Sequence, residues 1–175
     1  MRLPLTLAAL LGLAACATEA PREIAPPDPR LSRADCYTVV LFDDATVRKP
    51  AEEVPAEHAA FLGEWRYGAW DGEWCHDLIV TEVEPGGTVR LMDLHAPHEP
   101  WGKPATAFAR TGRITQDGLL VFRHGVTQRS YRVIDGRLHA HREASDRDYR
   151  AVLERPEVAA ADVIDLREAA KLASN

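Results

Sequence analysis

Five glycine-bearing breaks divide the middle of this chain into short runs, and that spacing limits what it can fold into. The breaks are Asp71-Gly72, Pro85-Gly86-Gly87, Asp117-Gly118, His124-Gly125 and Asp135-Gly136. Asp-Gly and Gly-Gly supply the positive φ that tight hairpins need. The runs around them are rich in β-branched and aromatic residues and predict strands over 64–70, 74–83, 88–94, 105–114, 119–123, 128–134, 138–142 and 147–153. Runs at a spacing of about 8–12 residues imply an antiparallel meander. A meander hides its edges most simply by closing into a small barrel.

The flanks are different in kind. Residues 36–42, Cys-Tyr-Thr-Val-Val-Leu-Phe, read as a further strand, followed by a turn at 43–46. Residues 55–62 read as a short helix, opened by Pro55 and stopped by Gly63. The longer connection at 96–104 contains three prolines and Trp101 and is expected to lie as an ordered loop over one mouth of the barrel. Beyond Pro156 the chain turns alanine-rich, with Ala159, Val163, Leu166 and Ala170 on one helical face. The fold class expected is therefore mainly β, a meander barrel over 35–155 with a short helix before it and a C-terminal helix or tail over 156–175.

The amino terminus carries a different signal. Arg2, an apolar stretch and then small residues make a secretory leader over 1–15, too short for a bilayer core that needs about 20 apolar residues. The leader ends in Leu13-Ala14-Ala15-Cys16, which resembles the lipobox of bacterial lipoproteins. That resemblance implies cleavage before Cys16, lipidation of its thiol and acylation of the new amino terminus. Two or more acyl chains anchor a protein firmly where one does so only marginally. The implied partner is a membrane, and Ala17 after the cysteine implies the periplasmic side of the outer membrane. Residues 16–34, with Pro21, Pro26, Pro27 and Pro29, then read as a tether between anchor and barrel, with Ile24 and Leu31 the candidates for packing on the domain.

Lipidation of Cys16 leaves Cys36 and Cys75 as an even pair in an oxidising compartment, and a disulfide between them is expected. The alternative is two separate free thiols. The chain has 27 acidic and 21 basic side chains, for a formal charge of −6, which argues against nucleic acid as a partner. The charge is unevenly spread. Residues 17–99 hold 17 acidic and 7 basic groups, while 110–155 hold 10 arginines and 6 acids. The basic part either faces an anionic partner or pairs with the acidic part across the barrel.

The landmarks Trp65, Trp70-Asp71-Gly72, the run from Cys75 to Val83, Pro85-Gly86-Gly87, Pro100-Trp101-Gly102 and Tyr131-Arg132-Val133 together resemble a group of uncharacterised proteobacterial secreted domains described as lipocalin-like. The resemblance covers about half the chain and implies a small lipocalin-like barrel. It carries no catalytic residues over. In that group an aromatic often stands where this chain has Leu94-His95, which implies a more polar mouth here.

The candidate site residues follow. Trp65, Trp70 and Trp74 are large aromatics of the kind that fill small barrels. Regular alternation would set Trp65, Tyr67 and Ala69 on one face and Glu64, Arg66 and Trp70 on the other. Trp101, His95 and His98, with His76 and Arg110, are the residues assigned to a ligand. His139 and His141 share a strand face with each other and, beside Leu138 and Ala140, are expected to face solvent. Were they to meet His95 and His98, zinc or copper ligands would result, but nothing in the linear spacing shows that they meet, and no metal is assigned. His76 and Asp77 are adjacent on a strand and point apart. Asp93 lacks an identifiable second carboxylate for glycoside chemistry. No Gly-x-Ser-x-Gly elbow, His-Glu-x-x-His or phosphate loop is present in the sequence, so no catalytic residue and no cofactor is assigned. The expectation is an envelope-anchored, non-catalytic binding module for a small amphiphilic ligand or an envelope partner. Its alternatives are an inhibitor of a lysozyme or protease that inserts the 96–104 loop and, more remotely, an envelope enzyme.

Overall fold

Eight strands follow one another around a nearly closed antiparallel barrel. They are β1 (Gly63–Trp70), β2 (Trp74–Val83), β3 (Thr88–His95), β4 (Thr106–Ile114), β5 (Leu120–His124), β6 (Thr127–Ile134), β7 (Arg137–Glu143) and β8 (Asp148–Leu153), hydrogen-bonded in chain order. The computed structural model describes residues 28–36 and 45–156. The strand expected at 36–42 beyond Cys36, the lipidation expected at Cys16 and the helix expected at the C terminus fall outside the described residues.

The sheet closes where β1 meets β8. Arg66 N donates to Glu154 O at 2.8 Å and Glu154 N to Arg66 O at 2.9 Å. At the β6–β7 hairpin, Asp135 and Gly136 take φ of 50° and 76°, the paired positive angles of a two-residue turn whose twist matches the strands. Pairing is full along most of the barrel but thins between β4 and β5, where only Arg113 with Val121 and Ile114 with Leu120 stay in register.

One expected alternation fails. The β1–β2 register shifts between Trp65 and Gly68, and Tyr67 sits at φ 68°. This bulge inserts an extra residue and flips the strand's parity, so Trp65 and Trp70 both turn into the core and are fully buried. Gly68 follows the bulge because a Cβ there would lie 2.7 Å from both His76 O and Leu153 Cγ. A second register shift between Val80 and Glu82 of β2 likewise lets Val80 and Val83 both join the core, whereas β7 alternates regularly. Leu138 and Ala140 are buried while His139 and His141 take the outer side of β7.

The inward faces divide the barrel into two halves. One is apolar and packed, built from Trp65, Leu78, Val89, Leu120, Leu138 and Leu153 with their neighbours. Its end is sealed by the stretch around α1 (Ala56–Ala59), a single turn shorter than the helix expected over 55–62. Trp65 Nε1 donates to Phe61 O at 2.7 Å, and Arg155 lies over the Trp65 ring at 4.1 Å. The other half is polar and holds the candidate site.

The last part of the stretch read as tether packs on the barrel. Ser32 bridges to Gly68, and Arg33 N donates to Tyr67 O at 2.8 Å. Cys36 then joins Cys75 of β2 in a disulfide spanning a sequence separation of 39, as the cysteine count implies. Closing a loop of that size removes freedom from the unfolded chain. Replacing both cysteines with serine is expected to lower the unfolding free energy by about 2–4 kcal/mol, read as a shift in the urea midpoint at unchanged slope.

Candidate functional site

The polar half starts with a column of rings. On β2 and β3, residues two apart point the same way, so Trp74 and His76 face inward with Asp93 and His95. Trp70 stacks on His76 at 4.8 Å and His76 on His95 at 4.8 Å, and His95 meets Trp74 at 4.5 Å. Trp74 Nε1 donates to Ala96 O at 2.7 Å, tying the column to the start of the loop. Trp101 completes it from above, edge-on to Trp74 at 5.6 Å and to Tyr149 at 5.9 Å, with His98 at 4.3 Å. The loop at 96–104 therefore does cover the mouth, with Trp101 in a short 3₁₀ turn over Glu99–Trp101.

Beneath the column sits a charged set. Asp93 is wholly buried, and its Oδ2 accepts from Arg129 Nη1 of β6 and lies 3.8 Å from Arg110 Nε of β4. The register places Arg142 of β7 directly opposite Arg129, and its guanidinium rests over Tyr149 at 4.5 Å. Tyr131 and His76 close the set at 3.1 Å. Because a carbonyl only accepts, the 3.0 Å contact of His76 Nδ1 to Leu94 O fixes the proton on Nδ1. The Tyr131 hydroxyl then donates to Nε2.

Electrostatics follow from this burial. Desolvation, with the Arg129 charge second, pushes His76 down to about 3, so the ring is neutral. His95 is lowered in the same way, by burial first and then by its neighbours His76, Arg129 and Arg142. Burial raises the Tyr131 hydroxyl well above its usual range. Asp93 is raised by burial against the opposing pull of Arg129 and Arg110.

All five residues assigned to a ligand from sequence fall in this half. His76 and His95 lie in the column, His98 and Trp101 in the cover, and Arg110 beside Asp93. His139 and His141 stand outside the wall that encloses His95, so those pairs do not meet. His76 and Asp77 do point apart, Asp77 instead accepting from Arg66 Nη1 at 3.1 Å. The candidates read from sequence leave out Arg129, Tyr131, Arg142 and Tyr149, although each shares a parity with buried neighbours on its strand.

Among the described residues, donor atoms of His76, Asp93 and His95 lie within 4.8 Å of one another. That trio suits a hydrogen-bonded polar core better than a cation. Both His76 nitrogens and Asp93 Oδ2 already have protein partners, and guanidinium groups crowd the same space. Outside the barrel, a groove of about 500 Å³ runs past Thr46, Arg48, Glu82, Arg90 and Met92. Its charges are paired, Arg48 and Arg90 lying 3.0 and 3.2 Å from Glu82, and residues 37–44 leading into it lie outside the described residues. Comparison of the chain with family models, curated proteins and solved structures found no match.

Proposed function

We propose that the chain is a cell-envelope lipoprotein, held through lipid on Cys16 at the periplasmic side of the outer membrane, whose lipocalin-like barrel is a non-catalytic binding module for a small amphiphilic ligand. The observation that carries the reading is the change of character along the barrel interior. A packed apolar half supports a polar half roofed by the 96–104 loop, whose Trp101 side chain meets it through ring contacts. Such an aromatic cover is displaceable at modest cost, whereas the apolar half is filled and offers a ligand no room. The ligand's polar part would meet the chamber, and its apolar part would lie against Trp74 and Trp101 on the rim. The titratable groups support binding over turnover. His76 and His95 are held neutral far below physiological pH, which disarms them as proton carriers there.

Titrating the protein with a monoacylglycerol and with lysophospholipids should change its tryptophan emission saturably. Trp101→Ala should weaken that binding about tenfold. A panel in which no amphiphile alters the emission overturns the reading.

A second reading rests on the loop itself. His98 and Lys103 clamp it with a pair of backbone hydrogen bonds of 2.8 and 3.1 Å, presenting exposed Glu99 and Pro100 at a braced tip. A braced, protruding tip is what an inhibitor of a lysozyme or protease would insert, and assays against a panel of both enzyme classes separate the two readings.

A further inference from the structure

We infer that the polar half of the barrel is an oxyanion site, in which Arg110, Arg129 and Arg142 receive a compact phosphate or carboxylate group. The inference deepens the binding reading and rests on it, since it names the chemistry that the same chamber takes.

The argument is one of charge and donors. Arginine stays ionised in proteins. Arg129 and Arg142 are direct cross-strand partners on the inner face, an arrangement that repels unless something negative lies between. Among the described residues, Asp93 is the one carboxylate within ion-pair distance of any of the three, and a single oxygen, Oδ2, serves both Arg129 and Arg110. The stacked histidines are neutral and cancel nothing. Among the described residues, the buried polar atoms of this half left without a hydrogen-bond partner are Arg110 Nε and Nη2, Arg129 Nε, Arg142 Nε and Nη1, Trp70 Nε1, His95 Nε2 and His98 Nδ1, against one acceptor, Asp93 Oδ1. Arg129 is itself only 4% exposed, so bulk water cannot supply its missing acceptor. A polar interior in which three guanidinium groups and their five unpartnered N–H-bearing nitrogens face one carboxylate selects an anion. The planar forks of guanidinium match the paired oxygens of phosphate and carboxylate better than they match a spherical halide.

The wall offers a route in. Where β4 and β5 part, Phe108 stands 38% exposed with its ring 5.5 Å from His124. Arg110 lies against Phe108 at 4.5 Å, its side chain 19% exposed. It is the arginine of this seam, placed to meet an anion first and pass it to Arg142 and Arg129.

The test uses the whole mature protein with four probes. Inorganic phosphate is compared with chloride at equal ionic strength, and lysophosphatidic acid with a monoacylglycerol of the same chain length. The midpoint of thermal unfolding should rise saturably with phosphate, with lysophosphatidic acid, or with both. Phosphate alone assigns a free oxyanion, and the lipid alone assigns a headgroup. Arg142→Gln and Arg110→Gln, neither of which removes the Arg129–Asp93 bond, should each weaken that binding at least about tenfold. In anion-poor buffer both variants should unfold at or above the parent's temperature, because each relieves like-charge repulsion. The inference is overturned if neither phosphate source binds, or if both variants bind as the parent does. Monoacylglycerol binding that depends on Trp101 but ignores the arginines removes the oxyanion site and leaves the binding reading standing. No binding of either lipid removes the binding reading too.

Discussion

Acidification from about pH 6.5 to about pH 4 should cost the fold several kcal/mol, at about 1.4 kcal/mol per pH unit for each buried histidine that stays neutral. His76 has its folded value depressed to about 3 from an ordinary 6.5 by burial and by Arg129. Between those two values the unfolded chain holds a proton that the folded chain refuses. The unfolded state therefore binds more protons, and stability rises with pH through this window. It is fully present above about 6.5 and is lost as pH falls toward 3. His95 shifts in the same direction, and burial is again the main cause. Asp93 works the other way, because burial raises its value above 3.8. Just above 3.8 the folded state keeps a proton that the unfolded state releases, which offsets one histidine in part. Two histidines against one carboxylate leave a net slope of the predicted sign. Urea unfolding at pH steps between about 4.5 and 7.5 measures it, and His76→Gln should flatten the slope by roughly one proton. A flat profile would show that these rings titrate freely and that the column is not closed to water.

Most of the barrel was legible in the sequence because its strands obey one rule, alternation, and its turns another, positive φ at Asp-Gly. The eight observed strands match the expected runs to within about two residues at their ends. The rule failed at β1, where a bulge at Arg66–Tyr67 brings Trp65 and Trp70 to the same interior. No propensity marks that bulge. Tyr67 is an ordinary strand residue, and the close pass of Gly68 against His76 and Leu153 that accompanies the bulge is a tertiary contact that local sequence does not show. The short helix lost a turn for a related reason, since Phe61 is pulled into the core by Trp65 rather than continuing the helix.

The site was half legible. His76, His95, His98, Trp101 and Arg110 stood out because such residues near a proline-rich loop are unusual, and the barrel does gather them. Arg129 and Arg142 looked like ordinary solvated arginines in a basic stretch. Parity held the missing signal. Arg142 lies two residues from Ala140 and four from Leu138, and Arg129 lies two from Tyr131, so an alternation that buries the apolar residues must turn both guanidiniums inward. What parity alone does not give is their partner. Asp93 is 36 residues from Arg129 in sequence, and only closure of the barrel brings them together. The two charge-rich parts of the chain do pair across the fold at this point, but one carboxylate against three arginines leaves the interior positive.

Replacing Asp93 with alanine should cost about 3–5 kcal/mol, the usual penalty for orphaning a buried charge. Asp93 holds Arg129 by hydrogen bond and Arg110 by proximity, so its loss leaves three guanidinium groups facing one another with no counter-charge. Asp93→Asn separates shape from charge. It keeps the volume and one acceptor, and a loss close to that of alanine shows that the charge is what matters. The pair is then tested as a pair, because removing both ends of a buried ion pair is often near-neutral where removing one is not. Asp93→Leu combined with Arg129→Met should recover most of the stability lost in Asp93→Leu alone, giving a coupling energy of about 1–3 kcal/mol in a double-mutant cycle. Additive losses would mean that the two side chains act on the fold separately, and that the interior charge is balanced by something other than Asp93. Such a result would also remove the premise that the remaining arginines are short of an anion.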